Sequence, residues 1–172
     1  KKYFEDAAKN GNLSHAYIFF GPEGIGKKMF ACDIFRLVNN REPENDPDFK
    51  LLTSHLEEDN LPAMLTGRQA GRQADRQAVR HGTKIYIEDV RDLKSYLFLK
   101  PYYGPYKFVV INDADRLVPE AANAFLKMLE EPSTSTVIIL VSSQPKLILP
   151  TVLSRCEKVQ FLPSHQKEIS KE

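Results

Sequence analysis

Apolar residues fall in blocks along this chain, and the blocks have two different periods. "AYIFFG" at 16–21 is a compact apolar run closed by glycine, which predicts a buried strand. "YKFVVIND" (106–113) and "STVIILVSS" (135–143) are further continuous runs, each ending in polar residues. Helical spacing appears between them. Residues 27–39 carry Met29, Phe30, Ile34, Leu37 and Val38. "EDVRDLKSYLFL" sets Val90, Leu93, Leu97 and Phe98 on one face, with Pro101 as its stop. "PEAANAFLKMLEEP" begins at Pro119 and ends before Pro132. Weaker patterns predict a short helix around Phe4, Ala7 and Ala8 closed by Asn10-Gly11, a strand in "KLLTSHL", a short helix over 151–155 and a last strand over 158–162. Strands apolar on both faces, alternating with helices, predict an α/β fold: an open parallel sheet with helices on both faces. Such a sheet works at the carboxyl ends of its strands. The polar residues at 21–28, 112–113 and 142–143 would gather there.

The first of these groups, "GPEGIGKKMF", meets the phosphate-loop pattern G-x-x-x-x-G-K-[ST] at Gly21, Gly26 and Lys27, in the strand-to-helix context that the pattern requires. Gly21, Gly24 and Gly26 would let backbone N–H groups face phosphate oxygens at a helix amino terminus, and Lys27 would add a point charge. The alternative is a purely structural glycine turn. The next residue should be a hydroxyl that holds Mg²⁺, and it is Lys28. The strand at 106–113 departs in the same direction. Its first terminal position, normally an aspartate that serves Mg²⁺, is Asn112, and the second is Asp113. Asp115 would be a solvated or capping acid. With both metal contacts replaced, the residues argue against hydrolysis by this chain and imply no metal site. Ser142 and Ser143 either sense an outer phosphate or simply end their strand. Arg155, after a short helix, reads by itself as a solvated charge.

Composition narrows the class. The chain has 172 residues, the length of one domain, and 42% hydrophobic content is enough for a real core. A net charge of +1 provides no global basic field for nucleic acid, so such contact needs a local patch. Residues 57–83 form a polar insert with Arg-Gln-Ala at 68, 72 and 76. They read as an exposed helix or loop, or as a basic contact through Arg68, Arg72, Arg76 and Arg80. Cys32 and Cys156 have no metal-ligand spacing, which implies neither zinc nor a disulfide framework and points to a reducing, cytoplasmic setting. No apolar run approaches the length of a membrane span. The chain begins at Lys1 rather than Met, which leaves a removed targeting segment open.

Five stretches together resemble the amino-terminal AAA+ domain of bacterial DNA polymerase III clamp-loader subunits, the delta-prime and gamma/tau type. They are "LSHAYIFFGPEGIGKK", "DPDF", "IEDVRDLKSYLFLKPYYGPYKFVVINDADRL", "PEAANAFLKMLEEPS" and "LILPTVLSRC". The resemblance covers residues 13–56 and 84–162, and nothing in it corresponds to the Arg-Gln-Ala stretch. It implies a P-loop NTPase AAA+ core. It implies that Arg155, in Ser-Arg-Cys, is an arginine finger reaching a neighbouring subunit's ATP site, and that Ser142 or Ser143 is the sensor position.

Gamma/tau-type members hydrolyse ATP with an intact loop and an acidic pair. Delta-prime members keep the arginine while their own site decays, and Lys28 and Asn112 fit that kind. Many members carry a four-cysteine zinc module where this chain has only "NNREPEN", so no zinc is expected. A lid domain and a carboxyl-terminal collar do not fit after residue 162, so the chain reads as a fragment or a shortened relative.

The expectation is therefore a delta-prime-like stator in a hetero-oligomeric, DNA-binding loader, part of a DNA-directed DNA polymerase holoenzyme. It would have no ATPase activity of its own and require no cofactor, with weak ATP or ADP binding at the degenerate loop left open. Its partners would be gamma/tau and delta subunits and, through the complex, the sliding clamp and primer-template DNA, with no membrane. The alternative is a gamma/tau-like subunit that binds and hydrolyses ATP itself.

Overall fold

The computed structural model describes residues 2–54 and 84–163. In chain order its elements are α1 (Lys2–Lys9), β1 (Ala16–Phe20), α2 (Lys27–Asn39), β2 (Phe49–Thr53), α3 (Ile87–Phe98), β3 (Lys107–Asn112), α4 (Pro119–Glu130), β4 (Thr136–Ser142), α5 (Pro150–Leu153) and β5 (Glu157–Gln160). Single 3-10 turns occupy Ala114–Arg116 and Pro145–Leu147. The polar insert, with its Arg-Gln-Ala repeats, and the last two residues of the predicted strand at 50–56 lie outside the described residues.

The strands form one parallel sheet in the order β2-β3-β4-β1-β5. β1 lies between β4 and β5, with Phe20 opposite both Ser142 and Gln160. The chain leaves β1 toward one edge of the sheet and returns to its other side only at β5. The carboxyl end of β1 is thus the point where the winding reverses, the place where open α/β sheets bind ligands.

Alternate residues of each central strand serve two separate cores. Ala16, Ile18, Val109, Ile111, Ile138 and Leu140 pack under α3, α4 and α5, against Val90, Leu93, Phe125, Leu129 and Val152. Tyr17, Phe19, Phe108, Val110, Ile139 and Val141 pack under α1 and α2, against Phe4, Ala31, Ile34 and Phe35. Both faces being covered explains why these strands read as unbroken apolar runs.

Two side chains depart from the helical faces expected of them. Phe98 is 73% exposed, because α3 ends there and its buried stripe is Val90, Leu93 and Leu97. Met29 is 70% exposed, and the stripe of α2 is instead Ala31, Ile34 and Phe35 at the i, i+3, i+4 spacing.

At the amino-terminal edge of the sheet, Asp48 is fully buried and organises the segment after α3. Its carboxylate accepts the backbone N–H groups of Tyr102 (2.6 Å), Tyr103 (2.7 Å) and Gly104 (3.0 Å). Burial pushes its pKa up, but these bonds and the nearby Lys107 ammonium outweigh burial and hold it below the ordinary value. Lys107 is itself buried, with its Nζ 4.0 Å from the centre of the Tyr96 ring. Beside it, the Asn39 amide clamps Tyr106 by donating to its carbonyl at 2.8 Å and accepting from its N–H at 3.3 Å.

Candidate functional site

The turn from β1 to α2 is built by its glycines. Gly21 packs against the chain leaving β5, where a Cβ would stand 2.2 Å from the Phe161 carbonyl oxygen, so no larger residue fits. Gly24 and Gly26 have φ of 76° and 85°, which glycine adopts without strain. No side chain caps the amino terminus of α2, and two lysines, Lys27 and Lys28, stand in its first turn. Positive charge there opposes the helix dipole, an arrangement suited to an anion rather than to an isolated helix.

The two lysines differ sharply. Lys27 is buried, and its Nζ donates to the carbonyls of Gly21 (2.9 Å) and Pro22 (2.5 Å) in the loop. Burial lowers its pKa, partly offset by the charges of Glu23, Asp115 and Asp113. Lys28 is exposed. The position where the pattern requires a hydroxyl therefore presents a charge to solvent.

The ends of β2, β3 and β4 complete this edge. Asp113 adopts a left-handed backbone (φ 57°), and its Oδ2 accepts from Ser54 Oγ (2.9 Å) and Asn112 Nδ2 (3.0 Å). Asn112 thus spends an amide proton on its neighbour. Asp115 does not cap α4, whose N-cap is Val118. It accepts a hydrogen bond from Ser142 Oγ, which in turn accepts the N–H of Gln144 at 3.0 Å. Ser142 is buried and Ser143 is exposed, so Ser142 is the hydroxyl turned toward this acidic group. Lys27, Asp113 and Ser142 share one edge, from the groups that the strand pattern places there, and Asp115, which the sequence offered only as a solvated or capping acid, joins them through Ser142. Ser54 went unrecognised in the sequence because β2 ends in a region without a strong pattern. Among the described residues, no group of three or more His, Cys, Asp or Glu side chains is arranged to hold a metal ion.

Arg155 stands apart from this edge. It precedes β5, whose first residue pairs with Tyr17, and so belongs to the amino-terminal end of the sheet. Gly21 abuts Phe161 at the other end of the same strand. At about 3.3 Å per residue, the strand alone sets Arg155 roughly 13 Å from its own loop. The guanidinium lies along the surface, donating to Thr151 O (2.9 Å) and to Glu130 Oε1 (2.7 Å) at the end of α4.

A glycine-rich strand-to-helix turn at the point where a parallel sheet of this order reverses its winding is the frame of a P-loop fold. The family model for "DNA polymerase III, delta subunit" matches residues 1–165. The chain belongs to that family. Among curated members it is similar to DNA polymerase III subunit delta' of Pseudomonas aeruginosa, 31% identical over 83% of this chain and 42% of that protein. It is also similar to the delta' subunit of Bacillus subtilis, 29% identical over 98% of this chain and 48% of that protein. The chain thus spans less than half the length of these relatives. Among solved structures it is similar to a DNA polymerase III gamma subunit-related protein of Thermotoga maritima, with a TM-score of 0.66 and 25% identity over 94% of this chain and 46% of that one. This DNA polymerase III clamp-loader domain is of the delta-prime type, with the AAA+ P-loop NTPase fold. No helix among its described residues is long and apolar enough to cross a membrane.

Proposed function

We propose that this domain acts as a stator in the clamp loader: its own ATP site is degenerate, and it donates Arg155 to the ATP site of a neighbouring subunit. The observation that carries this reading is the position of Arg155 at the sheet edge opposite its own loop. An arginine so placed has no access to a phosphate on its own chain, whereas a neighbour packed against this edge brings one within reach. Lys28 in solvent and the Asn112 amide bonded to Asp113 support the degenerate site, since neither offers Mg²⁺ an oxygen from a charged or hydroxyl group. The loop requires no cofactor or zinc under this reading and retains ATP or ADP weakly at most.

Its neighbours are gamma/tau and delta subunits in a cytoplasmic hetero-oligomer that loads the sliding clamp onto primer-template DNA. Contact with DNA runs through the assembled complex. Arg155→Ala in the assembled loader tests the reading. Partner ATP turnover should fall by about three powers of ten or more, the worth of an arginine supplied in trans, with assembly intact. Unchanged turnover would sink it.

The gamma/tau-like alternative, an ATPase in its own right, draws on the buried Lys27 standing near Asp113 and Asp115. A fluorescent ATP analogue separates the two readings. Tight, Mg²⁺-dependent binding favours the ATPase, and no binding up to millimolar nucleotide favours the stator.

A further inference from the structure

The geometry points to Glu130 as a latch that parks Arg155 on its own domain, so that the finger reaches a neighbouring phosphate only after leaving this carboxylate. The inference rests on the reading of Arg155 given above. Arg155 does not project outward. One terminal nitrogen turns back to the carbonyl of Thr151, four residues earlier, and the other meets Glu130 Oε1 at 2.7 Å.

The helix that carries Glu130 disfavours its charge. Glu130 ends α4 and is followed by Glu131, and negative charge at a helix carboxyl terminus opposes the dipole. Arg155 offsets that cost. The pair is also built to exchange, since its side chains are 36% and 48% exposed. Such a pair is weak and is screened by salt. Glu130 meets the guanidinium through one oxygen only, whereas a phosphate carries more charge and can engage it bidentately, so it wins the arginine. The released Glu130 has a second partner in reach. Lys127 lies one turn earlier on α4, and the two residues line the same cleft, about 640 Å³, between α3 and α4.

The test uses the complete gene product assembled with its own ATPase partner subunits. Glu130→Gln keeps the shape and removes the charge. It should raise partner ATP turnover at low salt by about two- to fivefold, the ratio that an exposed pair of this kind sustains. The gain should shrink toward none as salt rises. In an Arg155→Ala background the same substitution should change nothing, which a merely structural role for Glu130 does not predict. Turnover equal to or below the parent's, with Arg155→Ala still inactivating, overturns the latch and spares the finger. A gain that persists without Arg155 also overturns it. Full turnover in Arg155→Ala removes both. Arginine side-chain NMR of the complete gene product gives an independent reading. The Arg155 terminal nitrogen signals should be held distinct by Glu130 and merge in Glu130→Gln, and no difference between the two overturns the latch.

Discussion

Replacing Asp48 should cost this domain a large part of its stability, and the amount follows from the contacts of one carboxylate. Asp48 is fully buried and accepts three backbone N–H groups, from Tyr102, Tyr103 and Gly104. Bonds to a charged acceptor contribute about 1.5–3 kcal/mol each, though not additively. The buried Lys107 ammonium also gains from this charge. Removing one member of a buried charged group typically costs about 3–5 kcal/mol. Asp48→Ala should therefore lose about that much from a total of about 5–15 kcal/mol. Asp48→Asn is the more informative change. It keeps one acceptor oxygen but turns an N–H₂ toward backbone donors, and about 2–3 kcal/mol is expected.

Urea unfolding followed by circular dichroism at several pH values measures both the size and the sign. The folded-state pKa of Asp48 is lowered, so its contribution is complete above the unfolded value of about 3.9 and is lost as pH falls through the folded value. The gap between parent and Asp48→Asn should hold steady from neutral pH down to about 4 and close below it. A loss under about 1 kcal/mol for Asp48→Asn, or a gap that closes at higher pH, would refute the reasoning.

Other outcomes follow from the same coordinates. In Gly104→Ala the new Cβ would stand 2.6 Å from the Asn39 amide carbon, so about 1–3 kcal/mol should be lost in urea unfolding. Asn39→Ala made together with it should cost less than the sum of the two single changes. Burial pushes the Cys156 thiol up to about 12 and also raises Cys32, which is half-buried where Cys156 is buried. With a thiol reagent at mild alkaline pH, Cys32 should therefore label first, and Cys156 only on a timescale set by unfolding.

Much of this protein was legible from residue order alone. The apolar runs at β1, β3 and β4 declare strands covered on both faces, because only such strands tolerate apolar side chains in both directions. The glycine spacing of 21–26 and Lys27 fix where an anion would sit, since backbone approach and the helix start are local properties. Lys28 and Asn112 depart from the Mg²⁺-binding pattern in the sequence itself.

The tertiary structure decided everything that depends on contacts distant in sequence. It set Ser142 and Ser143 in different surroundings, because the buried residue of β4 meets Asp115 from the neighbouring strand's turn and the next one is exposed. It gave Asp48 its role, because three amides 54 to 56 residues away converge on it. It turned Phe98 and Met29 outward, because periodicity marks a helical stripe but not where the sheet beneath it ends. And it set Arg155 at the edge opposite the loop, where β5 lies beside β1, and paired it with Glu130, 25 residues earlier, because α5 packs against α4.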